Sequence, residues 1–130
     1  MRFMMLMIPK GYGQAAAGAM PDPKMVEKMM EFNASLQKAG ALLSLDGLHP
    51  PAMGARVSFS GGKPKVTAGP FPAETEVLGG YWMIQVKSKE EAVEWARRCP
   101  AQDGDAIEIR QVMEMSEFPP DVQKLAGKLK

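Results

Sequence analysis

Residues 65–86 read KVTAGPFPAETEVLGGYWMIQV, in which a Gly-Pro-Phe-Pro corner, two glutamates and a Gly-Gly pair precede an apolar segment. Gly69 followed by Pro70 predicts a sharp change of chain direction, because both residue types favour turns. The Gly-Gly pair lets the backbone lie close to its neighbours, since glycine has no side chain. The run from Tyr81 to Val86 is rich in aromatic and aliphatic residues and predicts a central β-strand.

The neighbouring segments supply the other elements of an α+β domain. Asp22 before Pro23 predicts a helix start, because an aspartate caps free backbone N–H groups and proline fits the first turn. Ser88 and Glu91 form a capping-box pattern. In chain order, the sequence predicts a strand at Phe3 to Ile8, a helix from Pro23 closed by Gly40, a strand at Ala41 to Leu45, a hairpin of Arg56 to Ser60 with Pro64 to Thr67, the strand at Tyr81 to Val86, a helix after Ser88 to about Cys99, and a strand at Ala106 to Met113.

This order of elements predicts a ferredoxin-like βαββαβ domain with an inserted β-hairpin, in which both helices cover one face of an antiparallel sheet. We assign this domain to residues 1–113 and a C-terminal extension, forming a short helix, to residues 114–130. Residues 10–20 are rich in glycine and alanine and predict a loop. A disordered connection is the favoured interpretation of this loop, and a lid over a pocket is the alternative.

The predicted sheet is apolar on both faces. The first strand alternates two apolar sets, which are Phe3, Met5 and Met7 on one face and Met4, Leu6 and Ile8 on the other. Since both helices lie on one face, the opposite face would expose a larger apolar patch than soluble monomers usually tolerate. A second copy packed sheet against sheet about a two-fold axis is the predicted cover, and the C-terminal tail folded back is the alternative. The sequence therefore predicts a homodimer.

The composition argues against several classes of function. The 130 residues carry 16 basic and 15 acidic side chains, so a formal charge of +1 gives no field that favours nucleic acid or an anionic membrane. One cysteine, Cys99, and one histidine are too few for an internal disulfide or a structural metal site. The apolar N-terminal run is too short to cross a bilayer and lacks a signal-peptide pattern. We expect a cytoplasmic protein with no metal, cofactor, nucleic-acid or membrane partner.

The sequence also resembles a known family. Residues 69–100, GPFPAETEVLGGYWMIQVKSKEEAVEWARRCP, are similar to the signature of YCII-related proteins of the DGPF type, in which Asp-Gly-Pro-Phe ends a strand and precedes an acidic stretch, Gly-Gly and an aromatic strand. GLHPPA from Gly47 and IEIRQV from Ile107 extend the similarity over most of residues 1–113. The resemblance implies a dimeric α+β barrel of ferredoxin-like subunits, in a family without a settled reaction. This chain departs from the motif with Ala68 in place of its aspartate.

His49 and Asp46 are the candidate catalytic residues. Histidine is the residue type that ordinarily titrates nearest neutral pH, which suits a general acid or base. His49 follows Asp46 closely in a segment that two prolines stiffen, so the carboxylate is near enough in sequence to orient the imidazole. An exposed loop histidine is the alternative interpretation.

A predicted ligand pocket contains Phe71, Glu74, Tyr81, Glu108 and Arg110. Phe71 is explained as an apolar anchor of the turn. The turn does not require Glu74, and a solvent-exposed glutamate is the alternative to a pocket role for it. Glu108 and Arg110 share a face of the last strand. Arg110 would hold a ligand carboxylate, whereas an ion pair with Glu108 or across a dimer is the alternative.

Two functions remain open at this point. The first is a dimer that binds a small metabolite or a protein partner without catalysis, which the missing motif aspartate favours. The second is a metal-free enzyme that acts on a small organic acid or lactone by proton transfer, with His49 as acid or base. Sequence alone does not decide whether the protein is an enzyme.

Overall fold

The fold is built on an antiparallel sheet with two helices against one face. It is seen in a computed structural model that describes residues 1–71 and 76–128. The strands and helices are β1 (Arg2–Ile8), α1 (Pro23–Lys38), β2 (Leu42–Gly47), β3 (Ala55–Ser60), β4 (Lys63–Ala68), β5 (Gly80–Gln85), α2 (Lys89–Arg97), β6 (Ala106–Gln111) and α3 (Pro120–Lys128).

Four strands form the main sheet in the order β2-β5-β1-β6, and all neighbouring pairs are antiparallel. Met5 at the centre of β1 lies opposite Trp82 of β5 and Ile109 of β6. β3 and β4 pair only with each other and form the hairpin that the sequence predicts. The α+β class is confirmed, and the arrangement is compatible with a ferredoxin-like fold.

The core lies between the sheet and the first two helices. Phe3, Met5 and Ile84 of the sheet are almost completely buried, together with Leu36 of α1 and Ala92 of α2. The rings of Phe32 and Trp82 meet edge to face with their centroids 5.7 Å apart. The indole N–H of Trp82 donates to Asn33 Oδ1 at 2.7 Å, so its burial leaves no unpaired donor.

The helix ends follow the local sequence closely. Asp22 accepts a hydrogen bond from the Lys24 backbone N–H at 3.0 Å, as expected of an N-cap. Gly40 has φ 73°, the left-handed conformation that closes α1. Ser88 accepts from the Glu91 N–H, but the Glu91 carboxylate accepts from the N–H of Lys87 at 2.8 Å, one residue before the capping-box position.

The loop after β1 has a defined course instead of the expected disordered connection. A short 3₁₀ turn spans Tyr12–Gln14. Tyr12 donates its hydroxyl hydrogen to the carbonyl of Leu48, and the N–H of Gly18 lies 3.4 Å from Met53 Sδ. These long-range contacts hold the loop against the segment after β2, which local sequence patterns do not reveal.

Candidate functional site

The site lies at the end of the sheet where β2 finishes and β5 begins. Gly47 lies opposite Gly80 at this end, and the Leu48 N–H donates to the Gly79 carbonyl at 2.9 Å. The chain then passes through the buried Pro50 into a short 3₁₀ turn at Pro51–Met53. The motif GLHPPA therefore forms the rim of this end of the sheet.

Gly69 fixes the Gly-Pro-Phe corner against that rim. Its N–H donates to the Gly54 carbonyl at 3.0 Å. A Cβ atom on Gly69 would lie 1.7 Å from the backbone oxygen of Pro51, which only glycine avoids. The corner thus has a structural role, as close approach of two backbone segments requires.

The Gly-Gly pair has the same explanation at the start of β5. A Cβ on Gly80 would lie 2.8 Å from the backbone oxygen of Asp46, and one on Gly79 would lie 2.5 Å from Pro9 Cγ. Both glycines therefore let β5 pack closely beside β2 and the end of β1, as the sequence predicts.

His49 lies between two open cavities on this rim. One cavity, of about 350 Å³, is lined by His49 with Arg56, Phe71 and Glu76 among others. The other, of about 530 Å³, is lined by His49 with Tyr12, Met20 and mainly small apolar residues. His49 itself is exposed, and no hydrogen bond joins it to Asp46 within the described residues. His49 is therefore a lining residue of both cavities.

Asp46 is bound to a different partner. Its carboxylate accepts a hydrogen bond from the Tyr81 hydroxyl at 2.7 Å, and this bond raises the pKa of Tyr81 above its ordinary value. Asp46 and Tyr81 line a smaller cavity of about 190 Å³ that does not include His49. The structure thus brings Asp46 to Tyr81, and a catalytic pairing of Asp46 with His49 remains a prediction.

Glu108 and Arg110 lie far from His49 within one subunit. Their side chains form an exposed ion pair, with Arg110 Nη1 3.3 Å from Glu108 Oε2. β6 and β2 are the two edges of the sheet, separated by three strand spacings, or about 14 Å. Arg110 therefore does not clamp a ligand at His49 of the same subunit.

Phe71 is the predicted pocket residue that shares a cavity with His49. The Arg56 guanidinium lies 4.3 Å from the centroid of the Phe71 ring, a cation–π contact. Glu74 lies outside the described residues, whereas its neighbour in the acidic stretch, Glu76, lines the same cavity as His49.

The family model of the YCII-related domain matches residues 1–116. The chain belongs to the YCII-related family. A search of curated proteins found no match to the chain. The matched range covers the sheet, both packed helices and the whole rim around His49, and it ends before α3.

Three residues of the site in this YCII-related protein are missed by sequence reasoning. Tyr12, Met53 and Arg56 all line cavities that contain His49. Burial raises the pKa of Tyr12 above its ordinary value. Tyr12 is the one aromatic residue in a loop of small side chains, and that contrast is the signal that predicts an anchor there. Arg56 and Met53 carry no comparable signal.

The remaining chemistry of the described residues is limited. Burial, reinforced by the charge of Asp105, raises the pKa of Cys99 to about 11, which keeps the thiol protonated at neutral pH. No group of three or more His, Cys, Asp or Glu side chains in residues 1–71 and 76–128 is placed to hold a metal ion. None of the helices in that part of the chain has the length and apolar character needed to cross a membrane.

Proposed function

We propose that this protein is a homodimer that binds a small, mainly apolar organic acid at the His49 rim without transforming it. The observation that carries the proposal is that His49 lines both rim cavities. Apolar walls with a few polar groups, around a space of a few hundred Å³, are typical of small-molecule sites. The His49 imidazole would donate a hydrogen bond to the ligand's acidic group, while the apolar walls contact its body.

Binding without catalysis is favoured by the groups around His49. General bases are usually oriented by a second hydrogen-bonded group. The nearest candidate in sequence, Asp46, accepts from Tyr81, and the motif aspartate is replaced by Ala68. Within residues 1–71 and 76–128 no carboxylate is hydrogen-bonded to the His49 imidazole, which favours holding an anion over abstracting a proton.

The dimer is proposed from the helix-free face of the sheet. Met4, Leu6, Ile8 and Met83 lie on this face and are only half-buried. On α3, Leu125 is 60% exposed, so this side chain does not cover the sheet. Pairing of two such sheets about a two-fold axis would cover this face and give the dimeric α+β barrel that the family resemblance implies.

The binding proposal is tested by thermal shift and calorimetry with benzoate, phenylacetate and a butyrolactone carboxylate as probes. We expect at least one probe to raise the melting temperature of the parent protein. His49→Asn should weaken its binding by about tenfold or more, because a hydrogen bond to a charged group contributes about 1.5–3 kcal/mol. Lys38→Ala, which removes an exposed charge on α1 outside both cavities, is the control and should bind as the parent does. Equal binding by parent and His49→Asn would remove His49 from the site.

The enzyme hypothesis is supported by one observation, the exposure of His49 to both cavities. Catalysis is distinguished from binding alone by following a bound probe in D₂O by proton NMR. The proposed binding function predicts no exchange or conversion beyond the rate in buffer. Conversion by the parent that is lost in His49→Asn would establish catalysis instead.

A further inference from the structure

The β3–β4 hairpin has one apolar face and one polar face. Cross-strand partners in the register point to the same side, so the pairs divide cleanly between the two faces. The apolar face consists of Ala55, Val57, Phe59, Pro64, Val66 and Ala68. The polar face consists of Arg56, Ser58, Ser60, Lys63, Lys65 and Thr67. A strand pair with this pattern is built to cover something with one side.

Within residues 1–71 and 76–128, nothing covers that apolar face. Phe59 is 75% exposed, Val66 70% and Val57 50%, and the hairpin contributes no residue to the core. A two-stranded hairpin alone is marginally stable in water, so an ordered one needs a surface to pack against. The chemistry of its apolar face requires an apolar partner.

The helix-free sheet is small for a dimer interface by itself, which favours a second copy as the partner of the hairpin. Four strands about 4.8 Å apart and about 20 Å long make a face of roughly 400 Å². A standard interface buries roughly 800 Å² on each partner. The sheet face alone therefore falls short of a stable dimer, and further surface must come from elements outside it.

A matching apolar surface lies at the other end of the subunit. The hairpin leaves from the end of the sheet where Gly47 pairs with Gly80, whereas β6 ends beside Phe3 at the opposite end. The segment after β6 exposes Met113 by 68%, Met115 by 47% and Leu125 by 60%. The two apolar surfaces are separated by the length of the sheet, so they cannot cover each other within one chain.

We propose that the apolar face of the hairpin packs on the Met113–Leu125 segment of a second copy. A two-fold axis that lies between the two sheets, parallel to their planes and diagonal to the strands, exchanges both the ends and the edges of the stacked sheets. It brings the hairpin end of one copy over the C-terminal end of the other, and the contact occurs twice by symmetry. This inference rests on the proposed homodimer and adds the intersubunit arm that completes its interface.

Sedimentation equilibrium of the full-length chain tests the arm. Phe59→Ser with Val66→Ser should raise the dimer dissociation constant at least about tenfold, because large apolar side chains dominate interface energies. Lys65→Ser is the matched control, since it neighbours Val66 on the polar face, and it should leave the constant unchanged. Far-UV circular dichroism should be native in all variants, because the hairpin lies outside the core.

A cross-linking experiment tests the location of the contact. Copies carrying Phe59→Cys and copies carrying Met113→Cys, both with Cys99→Ala, are mixed under mild oxidation. We expect a covalent heterodimer from this mixture and none when Lys65→Cys replaces Phe59→Cys. Absence of the heterodimer while the double serine variant dissociates would overturn the assignment to Met113.

The other outcomes separate the arm from the dimer. A monomeric parent protein would overturn both proposals. A dimeric parent with an unchanged constant in the double serine variant would overturn the arm and leave the sheet-to-sheet dimer standing. Parent binding to phosphatidylserine vesicles that the double variant loses, with dimerisation unaffected, would assign the apolar face to a membrane surface and overturn the arm.

Discussion

The two faces of the main sheet are made by the same strands and similar residues, yet they differ in burial. On the helix side, Phe3, Met5 and Ile84 are almost inaccessible to solvent. On the other side, Met4 and Leu6 are half-buried and share their face with exposed polar pairs. Alternation along a strand thus decides which face a residue occupies. The elements packed on that face decide how deeply the residue is buried and how much it contributes to stability.

The largest expected effect is on the covered face. Met5→Ala should lower the free energy of unfolding by about 2–5 kcal/mol, because it removes a fully buried side chain and leaves a cavity beside Trp82 and Ile109. Urea unfolding followed by tryptophan fluorescence measures this. A loss below about 1 kcal/mol would mean that the two faces do not differ as described.

Met4→Ala is the matched change on the opposite face. In dilute protein it should lower the free energy of unfolding by less than Met5→Ala does, because Met4 is only half-buried in one subunit. If a second copy covers this face, the loss of stability caused by Met4→Ala should grow with protein concentration, since association stabilises the folded form by mass action. Melting curves at several concentrations make the comparison, and a cost independent of concentration would contradict cover by a second copy.

A smaller effect is expected at the Tyr81–Asp46 pair on the open face. Asp46→Asn should bring the pKa of Tyr81 down towards its ordinary value, because the hydrogen bond to the Asp46 carboxylate is the main cause that raises it. Ultraviolet titration against a Tyr81→Phe reference isolates this hydroxyl from Tyr12. An unchanged Tyr81 titration would show that the two side chains are not bonded in solution.

The smallest effect concerns the ion pair that joins β1 to the segment after β6. Arg2 donates to Glu114 at 2.7 and 2.9 Å, and this bond lowers the pKa of Glu114 below its ordinary value. Because the pKa of Glu114 is lower in the folded protein than in the unfolded one, the ion pair stabilises the fold at pH values above the unfolded-state pKa. This stabilisation is lost as the pH falls through the folded-state pKa. In Glu114→Gln the free energy of unfolding should therefore fall slightly less steeply as the pH decreases. Urea unfolding between pH 6 and about pH 3 measures this. An identical acid dependence in Glu117→Gln and Glu114→Gln would contradict this assignment.

Several features of the site were accessible from local sequence. The Gly-Pro-Phe corner and the Gly-Gly pair predict close backbone approaches, and Gly69 and Gly80 make them. Asp22 predicts the start of α1 because capping depends on residues only a few positions apart. The hairpin is likewise set by local alternation and by Gly61-Gly62, both of which have positive φ.

Other features depend on contacts between distant parts of the chain. Asp46 lies close to His49 in sequence, yet strand pairing places it beside Tyr81. The Asp46 carboxylate accepts a hydrogen bond from the Tyr81 hydroxyl. Glu108 and Arg110 are separated from His49 by the full width of the sheet. Proximity in sequence did not predict these partners, because the side-chain directions follow from the register of strands far apart in the chain.

The sequence by itself determined the α+β class, the positions of the helices and strands, and the family, because periodicity, caps and turns act over a few residues. Tertiary structure decided that His49 opens onto two cavities, that Tyr12 anchors its loop, and that the hairpin leaves its apolar face uncovered. The physical reason is that a cavity or an exposed face is defined by what is packed around it. Those neighbours come from strands and loops that no local pattern links.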